Sequence, residues 1–170
     1  MEGKVCVAAG LFLLLLGIAS VAESAPLDNP FLPSTDQASC VYTVYVRTGS
    51  IAKGGTDSNI GVKFYDSLEN SILIDKLIEW GSLMPKGHDH YERGNLDIFS
   101  GKGDCLTTSI CKMTVFSDGS GPHAGWYNNY IEVTSTGPHI ECAQHLFTVE
   151  QWIASDAPPY SLRATRDDCT

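Results

Sequence analysis

Cys40-Val41-Tyr42-Thr43-Val44-Tyr45-Val46-Arg47 alternates strictly, with Tyr42, Val44 and Val46 on one side of the chain and Val41, Thr43 and Tyr45 on the other. A period of two in β-branched and aromatic residues marks a strand with one buried face. A second run, Asn59-Ile60-Gly61-Val62-Lys63-Phe64-Tyr65, alternates the same way around Ile60, Val62 and Phe64. Working outward, further strand candidates fall at residues 72–77, 96–99, 112–116, 127–134, 146–149 and 160–165. Turn-rich pieces separate them: Lys53-Gly54-Gly55, Ser117-Asp118-Gly119-Ser120-Gly121-Pro122 and Ala157-Pro158-Pro159. Short strands at this spacing predict an all-β fold, a sandwich or a barrel. A helical turn or two is expected around residues 77–83, and no long amphipathic helix.

The segment ahead of this pattern reads as two pieces. Met1-Glu2-Gly3-Lys4 leads into an apolar run that ends in Ala19-Ser20-Val21-Ala22, small residues at the positions a signal peptidase reads. A basic start, an apolar middle and a small-residue end predict a secretory signal peptide over residues 1–22. The run is shorter than the ~20 apolar residues a spanning helix needs, and no later segment is apolar enough to cross a bilayer. Residues 23–39 carry Pro26, Pro30 and Pro33 among small polar residues and read as a flexible leader. Residues 40–170 then suffice for one ordinary domain and not two.

Charge and cysteine content narrow the function classes. The net charge is −9, and loss of residues 1–22 leaves it unchanged because Glu2 and Lys4 go together. Such a field repels phosphate-rich partners, which argues against nucleic acid. Of six cysteines, Cys6 lies in the signal segment, leaving Cys40, Cys105, Cys111, Cys142 and Cys169, an odd number. An oxidising compartment favours disulfides, and the odd thiol would be free, buried or joined to another chain. A bridge between Cys105 and Cys111 would close a short loop, and one between Cys40 and Cys169 would staple the ends of the domain. Cys142 can replace either partner, so the pairing stays open. No pair has C-x-x-C spacing, which points to structural rather than redox or zinc roles.

Two acidic phrases fall on loops between strands: Gly55-Thr56-Asp57-Ser58-Asn59 and Glu92-Arg93-Gly94-Asn95-Leu96-Asp97-Ile98-Phe99. Each sets a carboxylate beside a turn rich in oxygen donors. Calcium takes six to eight oxygens at ~2.3–2.6 Å from carboxylates, carbonyls and water, and two such loops suit it. Two ordinary turns would also place these residues, with Asp57 and Asn59 capping their own loop and Asp97 paired with Arg93.

Taken in order, Val41-Tyr42-Thr43-Val44-Tyr45-Val46, Gly55-Thr56-Asp57, Tyr91-Glu92-Arg93-Gly94-Asn95-Leu96-Asp97-Ile98-Phe99 and Gly125-Trp126-Tyr127-Asn128-Asn129-Tyr130-Ile131-Glu132-Val133 resemble the PLAT, or LH2, domain. The signal segment, the cysteines at 105 and 111 and the ending Gln151-Trp152-Ile153 resemble, more narrowly, the small plant PLAT-domain proteins of the embryo-specific type. The resemblance covers residues 40–169 and implies a two-sheet antiparallel β-sandwich of about eight strands. It also implies a non-catalytic module that binds lipid surfaces or proteins, often with calcium, and in plants a place in the secretory pathway and in stress or development. Carried over by position, Gly55, Thr56 and Asp57 match the family's first calcium loop, with Asn59 as a further donor, and Asp97 matches the acidic position of the second.

Trp80, with Leu83 and Met84, forms an apolar loop just ahead of the second acidic phrase and is the candidate for membrane contact, since an indole suits the interface. Packing at the edge of the core is the other reading. Trp126 and Trp152 are assigned to the core. His88 and His90 form an H-x-H pair, but a transition-metal site needs further ligands, so a solvated loop accounts for them. Catalytic readings are thin: Ser120 lacks a nucleophile elbow, and Asp118, Ser120 and His123 lie on a Gly- and Pro-rich turn. Asp57 and Asp97 would be the pair for glycoside hydrolysis.

The sequence thus predicts a non-enzymatic module, secreted or resident in the endoplasmic reticulum, that recognises a lipid or membrane surface with calcium as cofactor. Two alternatives stand beside it: a protein-interaction module without calcium, joined through the odd thiol, and a glycan-binding or glycan-active sandwich.

Overall fold

In the computed structural model, residues 39–138 and 140–170 are described. The expected signal peptide and nearly all of the leader lie outside the described residues. The strands are β1 Ser39–Thr48, β2 Ile60–Asp66, β3 Ser71–Ile74, β4 Leu96–Asp104, β5 Ile110–Ser117, β6 Trp126–Gly137, β7 Ile140–Ile153 and β8 Arg163–Asp167. One short helix, α1 Leu77–Gly81, lies between β3 and β4. The strands form two antiparallel four-stranded sheets, β4-β1-β6-β7 and β3-β2-β5-β8. This is the two-sheet sandwich that the resemblance implies, and one of the two architectures, sandwich or barrel, that the strand pattern allows.

The alternating residues face inward as expected. Tyr42, Val44 and Val46 from β1 meet Ile60, Val62 and Phe64 from β2, all of them buried, with Phe64 stacked on Phe147 of β7 at 6.4 Å. Trp126 opens β6 fully buried, and its indole N–H donates to Thr48 Oγ1 at 3.0 Å, so the polar edge of the largest core side chain is satisfied.

Strand direction gathers the functional loops. β1, β5 and β7 end, and β2, β6 and β8 begin, at the same end of the sandwich. The connections 49–59, 118–125 and 154–162 therefore lie together there, joined by residues 82–95 leading into β4. Register shifts at Arg47/Thr48 and Asn128/Tyr130 distort the first sheet at this end. Backbone bonds tie the loops to each other: Gly49 N to Tyr127 O, Gly94 N to Gly49 O, Tyr127 N to Gly54 O and Thr56 N to Tyr91 O.

The disulfides are Cys40–Cys105 and Cys111–Cys169, which corrects both the short loop between Cys105 and Cys111 and the end-to-end staple between Cys40 and Cys169. Register is the reason. β1 pairs with β4 so that Ser39 faces Asp104, which brings Cys105 to Cys40. β5 pairs with β8 so that Lys112 faces Asp167, which brings Cys169 to Cys111. Cys105 and Cys111, close in sequence, leave for different sheets. Cys142 is also disulfide-bonded, and among the described residues no cysteine is free.

Candidate ligand-binding end of the sandwich

The first acidic loop is closed by its own polar groups. Thr56 is buried; its hydroxyl donates to His123 O at 2.9 Å and accepts from Ser58 N at 3.1 Å. Asp57 N donates to His123 O, and the Asp57 carboxylate meets His123 Nδ1 at 2.9 Å. Asn59 does not turn toward Asp57. Its backbone and side-chain N–H groups both donate to Asp118, at 3.1 and 2.6 Å. Burial alone would raise the Asp118 carboxyl, but hydrogen bonds from Asn59 and Ser120 outweigh it and hold the pKa down at about 2.

The second loop is organised around a buried carboxylate. Asp97 is fully buried, and its two oxygens meet His88 Nε2 at 2.6 Å and Tyr91 N at 2.8 Å. Asp97 therefore pairs with His88, which corrects the expected pairing with Arg93. Tyr91 takes a left-handed φ of 60°, uncommon for a bulky residue. That turn sends its N–H to Asp97 and its ring inward, 5.8 Å from Phe99 and 5.7 Å from Trp126. The Tyr91 hydroxyl is buried without a partner, and burial, reinforced by the Asp97 charge, pushes its pKa up. His90 lies over Phe99 and shares a 2.6 Å hydrogen bond with Ser82. Both imidazoles of the H-x-H pair are thus committed to the loop's own structure.

Among the described residues no group of three or more His, Cys, Asp or Glu side chains is arranged to hold a metal ion. Of the expected calcium donors, Asp57 offers a carboxylate that is 37% exposed. Gly55 is half-buried against the backbone of Glu92 and Arg93, Thr56 and Asn59 are engaged as described, and Asp97 would have to release His88. A calcium ion at this end would therefore draw on Asp57 and on backbone carbonyls. In the Gly- and Pro-rich turn the Asp118 carboxylate accepts from Ser120 N, while His123 pairs with Asp57 instead of Asp118.

The apolar loop divides in two. Trp80 is half-buried and packed on the core, its indole set directly over Gly101, where a Cβ would come within 2.5 Å of the ring. Met84 is half-buried and Leu83 is 61% exposed. Ile51 on the first loop and Leu96 at the start of β4 are exposed as well, at 41% and 37%, a pair sequence reading passes over because they lie in separate segments. Lys53, Lys86 and Arg93 are exposed on the same loops. Trp152 is not a core residue: it is half-buried, stands edge-on to Tyr127 at 5.5 Å and lines a cleft of about 620 Å³ between the loops.

The model of the family described as embryo-specific protein 3 (ATS3) matches residues 28–153. PLAT domain-containing protein 2 of Arabidopsis thaliana is 52% identical over 94% of this chain and 84% of its own length. This chain belongs to that PLAT-domain family. PLAT domain-containing protein 1 of the same plant is 47% identical over 93% of the chain and 82% of its own length. Among solved structures, the coral 8R-lipoxygenase, described as calcium-activated via a C2-like domain, superposes with a TM-score of 0.54 at 19% identity. The match covers 74% of this chain but 16% of that enzyme, so what is shared is the fold of the PLAT module. Close relatives named as PLAT-domain proteins support a non-catalytic module.

Proposed function

We propose that this PLAT domain docks end-on against an anionic lipid surface through the loops that join its sheets. The observation that carries this reading is the company kept at that end: exposed Ile51, Leu83 and Leu96 beside exposed Lys53, Lys86 and Arg93. Apolar side chains gain by entering the acyl boundary, and each basic side chain near an anionic leaflet adds about 1 kcal/mol. Trp80 anchors its loop to the sheet rather than inserting, because its indole is held on Gly101.

Calcium completes the proposal. The calcium-activated C2-like domain of the coral lipoxygenase supports it. The ion would be held by the Asp57 carboxylate and neighbouring carbonyls of the Gly55-Thr56-Asp57 turn, and bound there it would offset part of the net charge of −9 that otherwise opposes anionic lipid. No step of bond making is involved; the chain's own residues position and dock. We further propose that residues 1–22 direct the chain into the secretory pathway and residues 23–39 act as a leader to the domain, which the disulfides favour.

Sedimentation of the domain with vesicles of phosphatidylserine and phosphatidylcholine tests this. Binding in calcium that falls on Leu83→Asp and on Asp57→Ala is expected; equal binding by both variants would overturn it.

A further inference from the structure

The 620 Å³ cleft falls within the ~300–1,000 Å³ range of small-molecule sites and, besides Lys53 and Arg93, is lined by Glu92, His123, Trp152 and Asp156, which lipid docking leaves aside. Its walls come from four loops, and backbone hydrogen bonds hold them: Asp57 N to His123 O, Asn95 N to Glu92 O, and Tyr160 N to Ala157 O. The site is therefore formed before any ligand arrives. Trp152 supplies an aromatic surface, fixed by Tyr127 set at 81° to it. Around it stand Lys53, Glu92, Arg93, His123 and Asp156.

Two carboxylates balance two permanent cations there. A phosphate or other polyanion would meet Glu92 and Asp156 as well as Arg93, and gains little from such a site. A ligand that is uncharged but both donates and accepts hydrogen bonds gains from each group, because bonds to charged partners are the stronger ones. A ligand with a flat apolar C–H face as well would cover the indole. Vicinal hydroxyls on a pyranose ring present both features. We propose that this cleft binds a neutral carbohydrate, with Trp152 stacking on a sugar ring and Glu92, Arg93 and Asp156 holding its hydroxyls.

Gly125 in the lining offers a way to fill the site without removing a binding group. A Cβ there would lie 3.4 Å from Ala154 Cβ, 3.6 Å from Asp156 Oδ1 and 3.9 Å from Trp152 Cζ3, so it fits, while a longer side chain would project among the cleft residues.

The test is calorimetry and tryptophan fluorescence on the full chain with its disulfides intact. The probes are neutral gluco-, xylo-, manno- and galacto-configured pentaoses, with inositol hexakisphosphate as the polyanion. Binding of at least one pentaose is expected, weakened about tenfold or more by Asp156→Ala, as loss of a charged hydrogen-bond partner implies, and also by Gly125→Leu. Trp152→Ala should abolish the fluorescence change; should it unfold, the other two variants carry the test. Leu83→Asp should leave pentaose binding unchanged, which separates this site from the lipid surface. Failure of every pentaose to bind, binding that survives both Asp156→Ala and Gly125→Leu, or a preference for inositol hexakisphosphate would overturn the proposal.

Discussion

The buried carboxylate of Asp97 is held by His88, nine residues upstream, through a 2.6 Å hydrogen bond to Nε2. Tyr91 N takes the second oxygen at 2.8 Å. Asp97 thus sets the shape of the loop over residues 88–97 whether or not calcium is present. Replacing it with Ala strands the buried Tyr91 N–H and should cost about 2–4 kcal/mol in calcium-free buffer. Urea denaturation checks this, and an Asp97→Ala domain of unchanged stability would contradict the role. Asp57 is the cleaner probe for calcium, since its carboxylate is partly exposed and its removal leaves the core intact.

Asp66 is the second buried carboxylate, fully enclosed at the opposite end of the sandwich. It accepts bonds from Leu68 N, Asn70 N and Nδ2, Thr107 N and Thr108 N, which join the β2–β3 turn to the loop before β5. Burial alone would raise its pKa, yet these bonds outweigh that and hold it below the ordinary value. A depressed carboxyl contributes fully above the unfolded pKa near 4 and loses that contribution as pH falls through the folded value. Asp118, at about 2, marks the lower edge of the window. Stability should therefore fall between about pH 4 and pH 2. Asp66→Asn should cost about 2–3 kcal/mol at pH 7 and much less at pH 2, measured by denaturant midpoints at both values.

Tyr91 makes the opposite prediction. Its hydroxyl is buried without a hydrogen-bond partner, so Tyr91→Phe removes an uncompensated polar group while keeping the ring between Phe99 and Trp126. A gain of about 1 kcal/mol, seen as a Tm higher by a few degrees, is expected by calorimetry. A loss of that size would mean that the hydroxyl has a partner.

Each described disulfide closes a long loop, with separations of 65 and 58 residues. Chain-entropy reasoning assigns each about 4 kcal/mol at most. Cys111→Ser with Cys169→Ser should loosen β8, an edge strand that pairs with β5 and is held to β7 by the Arg166 side chain through Thr148 O, Val149 O and Gln151 Oε1, and should expose its amides to hydrogen exchange. Protection unchanged in residues 163–167 would show that strand pairing and the Arg166 bonds hold the edge without the disulfide.

Much of the fold was legible because burial in a strand writes a period of two, and Tyr42-Val44-Val46 and Ile60-Val62-Phe64 carry it unbroken. The two carboxylate loops were visible as loops. Their bonding was not, because it depends on the left-handed turn at Tyr91 that brings His88 back onto Asp97, and on the pairing of Asn59 with Asp118 from a distant turn. The disulfides depended on register between strands far apart in sequence. Trp152 was misread as core because its cleft is assembled from four separate loops, none of which shows the others.

The most direct test of the account is vesicle sedimentation of the domain with and without calcium, run on the parent chain, Leu83→Asp and Asp57→Ala together. Calcium-dependent binding by the parent that falls several-fold in Leu83→Asp, and loses its calcium response in Asp57→Ala, is the predicted result. Binding that ignores calcium and survives both substitutions, or no binding at all, would contradict docking through this end of the sandwich.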